Sequence, residues 1–409
     1  MSSGGLDVLF LTQTYPRTPH DSSGPFIRDL ARGLARAGDR VRVLTPHAPG
    51  LARRWSGDGV EVETFRYAPE RLENLGYGRS LSADERVRLS AALALPTYLL
   101  AARAAVRRAL AERPGSIVHA HWVVPNAWAA AAAVGRGGRL AVGLHGSDVF
   151  LAEKRSARTL TRWALGRARL LTGCSPELVE RVCRVGFPAA DSRVIPYGVD
   201  AELFRPDASR RRIWRERLGV PPDAPLLLGV GRMATKKGFQ VLLAGLEPLF
   251  AAVPAAHLVL AGGGDRWAEF RASASGFAPR VHFPGTVEHD ELPDLYRAAD
   301  LFTLPAVHDA RGNVDGLPNV VLEAMASALP VVASRISGLP LAVEEGRTGF
   351  LVPEGDGAAL VSALAAILAR PDRGRSLGEA GRARVERELT WDAVAARYRE
   401  AYREKLVRT

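Results

Sequence analysis

Short apolar runs alternate with stretches of helical spacing along almost the whole chain, and that alternation constrains the fold more than any other feature. In the first half the runs fall at 6–12, 40–45, 60–67, 117–121, 140–145 and 170–173; in the second they fall at 226–230, 257–260, 281–284, 301–304 and 331–333. Between the first two, "GPFIRDLARGLARAG" sets Phe26, Ile27, Leu30 and Leu34 at helical spacing, and Gly38 stands where a helix should stop. Residues 84–112 form a second helical region, Ala-rich, with Pro96 as an expected kink. Short strands alternating with helices mean a doubly wound parallel sheet, here one in each half.

A chain of 409 residues is too long for one ordinary core and suits two domains. The stretch 196–225, with Pro and Gly at both ends and charge between, reads as the linker. The two cysteines, Cys174 and Cys183, have no metal-type spacing and suit a reducing cytoplasm. The opening "MSSGGLDVLFLTQTYP" lacks a basic n-region, so no signal peptide is expected, and no run is long and apolar enough to span a bilayer. The net charge of +11 is lopsided: residues 1–200 hold 28 Lys and Arg against 18 Asp and Glu, whereas the remainder is close to balanced. A basic half suits an anionic partner such as a phosphorylated substrate or acidic lipid surface; solvated arginine-rich helices explain it equally well.

In open parallel sheets, ligands bind beyond the carboxyl ends of the strands, and two such domains leave a cleft between those ends. "GRMATKKG", residues 231–238, follows the first strand of the second half. Gly231 lets backbone N–H groups approach a ligand, Arg232 offers a planar fork of donors to phosphate oxygens, and Lys237 adds a mobile charge. The composition is that of a pyrophosphate cradle without Walker spacing. In "DGLPNVVLEAMASALPVVAS", residues 315–334, Pro318 marks a helix start whose free N–H groups can meet an anion. Asp315 and Glu323 there suit the hydroxyls of a sugar and a ribose.

The ordered set "GPFIRDLARGLARAGDRVRVLT", "HGSD" (145–148), "IPYGVDAELF" (195–204), "GRMATKKG", "LAGGGDRW" (260–267), "FPGTVEHDELPDLYRAADLFTLPA" (283–306) and "GFLVPEGD" (349–356) resembles the retaining glycosyltransferases of family four, also called glycosyl transferases group 1. The resemblance covers nearly the whole chain. It implies the GT-B fold: two Rossmann-like domains facing across a cleft, here 1–200 on the acceptor side and 201–375 on the donor side. A C-terminal helix, 376–409, crosses back to the first domain.

By the same resemblance, Arg232 and Lys237 hold the donor diphosphate, and Gly24 lets a loop close over it. Glu323 binds the ribose, the backbone at Asn319 and Val320 meets donor oxygens, and His145 faces the donor sugar. Asp315 stands where the family commonly has glutamate; being one methylene shorter, it implies either a loop that sits closer or a different contact with the donor sugar. His119 and His121 either line the acceptor side or, on the plainer account, are packed strand histidines, and Ser175 reads as a helix N-cap before Pro176.

The expected reaction moves a sugar, with retention, from a UDP- or GDP-type donor to a sugar or lipid-linked acceptor in surface polysaccharide, lipopolysaccharide or glycolipid assembly. No Asp-x-Asp occurs, so no metal and no cofactor are expected. The location expected is cytoplasmic. Arginines within 84–108 allow peripheral contact with an anionic inner membrane face, although a helix packed on its own sheet is the plainer account. A GT-B epimerase is the rival enzyme. The pI near 10.2 suggests a nucleic-acid binder, which the aromatic content of 7% argues against. A dehydrogenase lacks its Gly-x-Gly-x-x-Gly at either first strand.

Overall fold

The computed structural model describes residues 4–17, 24–73, 75, 82–83, 86–87 and 89–407. The chain divides into two units, Met1–Ile195 with Trp391–Thr409, and Pro196–Thr390. The first holds an eight-stranded sheet of β1 (Asp7–Leu11), β2 (Arg40–Pro46), β3 (Arg54–Gly57), β4 (Val60–Phe65), β5 (Ile117–His121), β6 (Leu140–Leu144), β7 (Leu170–Gly173) and β8 (Ser192–Val194). Their spatial order is β8-β7-β6-β5-β1-β2-β4-β3, parallel throughout except for β3 against β4. The second holds six parallel strands: β9 (Leu226–Val230), β10 (His257–Ala261), β11 (Val281–Gly285), β12 (Leu301–Leu304), β13 (Val331–Ser334) and β14 (Gly349–Val352), in the order β11-β10-β9-β12-β13-β14. The winding therefore reverses at β1/β5 in one unit and at β9/β12 in the other.

Local sequence explains why these elements form. In the helix Pro25–Arg36, Ile27, Leu30, Ala31 and Leu34 are buried, and Gly38 N–H closes the end on Ala35. Burying each of these larger side chains stabilises by roughly 1.5–3 kcal/mol. The helix Trp391–Tyr402 buries Trp391, Val394, Ala395, Tyr398, Ala401 and Tyr402 within the first unit. It packs closely on Pro25–Arg36: a side chain at Gly33 would meet the Trp391 carbonyl oxygen at 2.8 Å. The helix Leu89–Glu112 continues through Pro96; Asp84 and Arg88 lie outside the described residues. Several basic side chains of this unit are neutralised on the surface, Arg42 by Glu61 and Glu112, and Arg113 by Glu61.

Three expectations change. Residues 196–225 are no linker but part of the second unit. Arg215, in the helix Arg212–Leu218, is 2% exposed and donates to Ala298, Pro221, Pro222 and Ala224 carbonyls and to Asp300. The bonds to Ala298 and Asp300 fasten this stretch to the second unit. The stretch 376–390 also stays with the second unit, so only the last segment returns to the first. Gly378 lies against the Ala328 carbonyl, and Arg382 donates to the Ala326 carbonyl at 2.5 Å. Finally, β3 and β8 are strands that apolar runs alone do not announce, and β14, a short apolar run, adds a strand to the five expected in the second half.

Candidate active site

In the second unit the site is built where the winding reverses. Beyond β9, Gly231 N–H donates to Ala261 and Met233 N–H to Gly263, while Arg266 N–H returns to Met233. These bonds fasten the Arg232 loop to the glycine-rich turn after β10. The chain then makes a tight turn over Thr235–Lys237 and enters the helix Phe239–Ala244 through Gly238, at φ 71°. A side chain at Gly238 would collide with the Pro305 carbonyl beyond β12, and Val307 N–H donates to Lys236 O nearby. The loops after β9 and β12 are thus one packed layer at the reversal, where an open sheet receives its ligand.

Two lysines converge there on one carboxylate. Lys236 Nζ lies 2.6 Å from Asp315 Oδ1, and Lys237 Nζ 2.8 Å from Oδ2. Burial alone would raise the Asp315 carboxyl, but Lys237 and Lys236 hold it well below the usual carboxylate range. The Lys237 stem crosses Gly231, where a side chain would approach its Cε at 3.3 Å. Arg232 is exposed. Asn319 and Val320 open the helix Asn319–Ala326 behind Pro318, with no side-chain cap, so their N–H groups face out of its N-terminus. The Asn319 Oδ1 atom is buried without a partner.

On the same helix, Glu323 Oε2 accepts from Tyr296 Oη at 2.8 Å. Burial pushes the Glu323 carboxyl up to about 7, against the Tyr296 hydrogen bond and the Lys237 charge. Tyr296, fully buried in the helix Leu292–Ala298, also faces Val320 O at 3.3 Å. Asp315 precedes the helix that carries Glu323. The structure therefore brings Gly231, Lys237, Asp315, Asn319, Val320 and Glu323 to one end of one sheet. Lys236 and Tyr296 are additional members. Lys236 was legible only as charge, and a tyrosine amid "LPDLYRAAD" carries no local sign that its hydroxyl meets a glutamate.

Gly24 and His145 belong to the first unit. Gly24 is left-handed, φ 69°, before the helix Pro25–Arg36, and Phe26 two residues on lies 4.9 Å from the His145 ring. His145 follows β6; its backbone N–H donates to Asp148, which also accepts from Gly146 and Val123. Burial pushes Asp148 up to about 6. His119 and His121 are buried on β5, as expected of packed histidines, and Ser175 caps its helix by accepting from Leu178 N–H at 3.3 Å. Trp122 was not singled out by sequence. Its ring lies 4.8 Å from His145, and its φ of 70° is a strained backbone for an aromatic residue, the kind of outlier that collects at functional sites.

The Glycosyltransferase Family 4 model matches residues 24–203, and that for Glycosyl transferases group 1 matches residues 224–370. A GDP-mannose-dependent alpha-(1-6)-phosphatidylinositol monomannoside mannosyltransferase of Mycobacterium tuberculosis is 30% identical, over 88% of this chain and 89% of its own. A D-inositol 3-phosphate glycosyltransferase of Streptomyces scabiei is 32% identical, over 86% and 84%. Among solved structures, the sucrose-phosphate synthase of Thermosynechococcus elongatus aligns over 98% of both chains, at a TM-score of 0.75 and 25% identity. The relatives are named for glycosyl transfer and none of these for epimerisation. With two parallel-sheet α/β units, matching family models in both halves and relatives along its length, the chain belongs to glycosyltransferase family 4 and is a glycosyltransferase of the GT-B fold.

Proposed function

We propose that this glycosyltransferase takes its sugar from a nucleoside diphosphate and passes it, with retention, to an acceptor hydroxyl, using lysine charge where other folds use a metal. The observation that carries this is the pair of ammonium groups at the β9/β12 reversal beside an uncapped helix N-terminus. As the glycosidic bond breaks, negative charge grows on the leaving diphosphate. Lys237, with Arg232 and the N–H groups of Asn319 and Val320, stabilises that charge, an oxyanion-type effect. Asp315 neutralises part of the lysine charge and holds both ammonium groups in place; the donor sugar lies against it. Glu323 takes the ribose hydroxyls with the oxygen that Tyr296 leaves open.

A double displacement would need a free carboxylate nucleophile. Asp315 has both oxygens on lysines, and Glu323 is tied to Tyr296, with burial pushing its carboxyl toward the neutral form. Front-face attack fits better. The bond from the anomeric carbon to the diphosphate oxygen breaks, the bond to the acceptor oxygen forms on the same face, and a donor phosphate oxygen takes the acceptor proton. The roles of Gly24 over the diphosphate and His145 at the donor sugar rest on the family resemblance. UDP and GDP are the donor nucleotides to test first.

The acceptor reading is a lipid-linked or phosphorylated glycan precursor reached at an anionic membrane face. Among the described residues no helix is long and apolar enough to cross a membrane. The helix Leu89–Glu112 turns Leu93 and Leu100 outward, 73% and 64% exposed, in line with exposed Arg107 and Arg108. Such a stripe suits an interfacial helix.

The test is thermal-shift titration with UDP, GDP and ADP in EDTA, followed by turnover at saturating donor. Stabilisation by one nucleotide without metal is expected. Lys237→Ala should cut turnover about 100- to 1,000-fold, whereas Glu323→Ala should chiefly raise the donor KM. Equal turnover losses, or nucleotide binding only after magnesium or manganese is restored, would overturn the reading.

A further inference from the structure

Three imidazoles stand in a row at the carboxyl ends of β5 and β6. His119 and His121 share one face of β5, with rings 4.3 Å apart and 28° from parallel; His145 stacks on His121 at 5.2 Å and 27°. Gly143 makes the room, since a side chain there would reach His119 Nε2 at 2.8 Å and His145 Nε2 at 3.3 Å. Burial keeps all three rings neutral, with His119 and His145 pushed down to about 3 and His121 well below its ordinary value. His121 Nδ1 lies 3.0 Å from His145 Nε2.

One hydrogen joins two neutral nitrogens, so the pair has two arrangements. Either His145 Nε2–H donates, and His121 must carry its own hydrogen on Nε2, or His121 Nδ1–H donates, and His121 Nε2 is a bare lone pair. That Nε2 atom is buried and without a hydrogen-bond partner. Phe10, edge-to-face with the ring at 4.5 Å, offers at most a π face. A buried N–H with no acceptor is rarer and costlier than an acceptor left bare, and a π contact compensates weakly. The Phe26 and Trp122 rings stand beside His145, and Asp148 accepts its backbone N–H. Behind His119 lie Tyr402 at 2.6 Å and Thr172 at 3.4 Å.

We infer that His121 is a positioning residue, donating Nδ1–H to His145 Nε2 and thereby locking His145 as the Nδ1–H tautomer, a hydrogen-bond donor with no basic nitrogen left to accept a proton. A fixed donor suits a sugar hydroxyl oxygen and leaves proton acceptance to the donor phosphate. This role rests on the glycosyl-transfer reading above; the tautomer itself does not.

The test is two-bond proton–nitrogen correlation NMR on histidine-labelled full-length protein without substrate, with His145 assigned by His145→Gln. The expected spectrum has the His145 hydrogen on Nδ1. His121→Asn, whose amide nitrogen can stand where Nδ1 stands, keeps it there; His121→Phe moves it or mixes the forms. In parallel, His121→Phe should lower kcat by about tenfold or more with donor KM little changed, and His121→Asn should restore it. A wild-type His145 with hydrogen on Nε2, or a tautomer unmoved by His121→Phe, overturns the inference. If His121→Phe does not fold, the wild-type spectrum decides alone. A switched tautomer with full turnover overturns the role while leaving glycosyl transfer intact.

Discussion

The two units reverse their winding in the same way, yet they fill the reversal with opposite chemistry. At β9/β12 the chain gathers full charges: two ammonium groups, a carboxylate held well below its usual range and a second carboxyl pushed up to about 7. Beside β1, the strands β5 and β6 gather neutral rings, three imidazoles kept uncharged by burial and bonded to one another or to Tyr402. One architecture thus serves two tasks, because what a strand end presents depends on two or three side chains rather than on the sheet. Under the proposed glycosyl transfer, charge at the second unit suits a polyanionic leaving group, and neutral imidazoles at the first suit hydroxyls.

The contrast breaks most visibly at the glycines that make each site possible. Gly238→Ala places a methyl group on the Pro305 carbonyl at a left-handed residue, and should cost roughly 3 kcal/mol or more in chemical denaturation. Gly143→Ala meets only side-chain atoms, the nearest at 2.8 Å, and should cost roughly 1–3 kcal/mol. If the two variants rank the other way, the charged layer is not the more rigid of the two.

A middle-sized effect separates the units by pH. The Glu323 carboxyl is raised in the fold, so its stabilising contribution is complete below its ordinary 4.5 and is lost as pH rises through about 7. The imidazoles are depressed in the fold, so theirs is complete above the ordinary 6.5 and is lost as pH falls. Hydrogen exchange should therefore show β5 and β6 losing protection toward acid and Asn319–Ala326 losing it toward alkali. Glu323→Gln should flatten only the second trend, by roughly 1–2 kcal/mol after allowing for partial exposure. Parallel pH responses in both units would remove the distinction.

The smallest effect sharpens the charged site. Tyr296→Phe removes one hydrogen bond to Glu323 and should weaken nucleotide binding about fivefold, near 1 kcal/mol. Unchanged calorimetric affinity would show that Tyr296 serves packing alone.

Legibility followed the range of the interactions. The helix Pro25–Arg36 and the strands at the centre of each sheet were readable because burial repeats within a few residues. Gly231, Lys237 and Glu323 were readable because glycine, cation and acid stood in a family order. What escaped was decided across the chain. Arg215 looked like linker charge until five partners closed on it, and Gly378 and Arg382 tied 376–390 to the second unit. The short β3 and β8 have no buried residue to give a periodic signal, and β8 is only three residues long; β14 is mostly buried, but four residues are too few to show a period.

By itself, then, the sequence determined the α/β class, the two sheets, the family and the residue types at the strand ends, since periodicity and motif order are local properties. Tertiary structure alone decided that Asp315 holds both lysines, that Tyr296 meets Glu323 and that His121 bonds to His145. Those pairings depend on strand order and register, which bring together residues that no spacing along the chain relates.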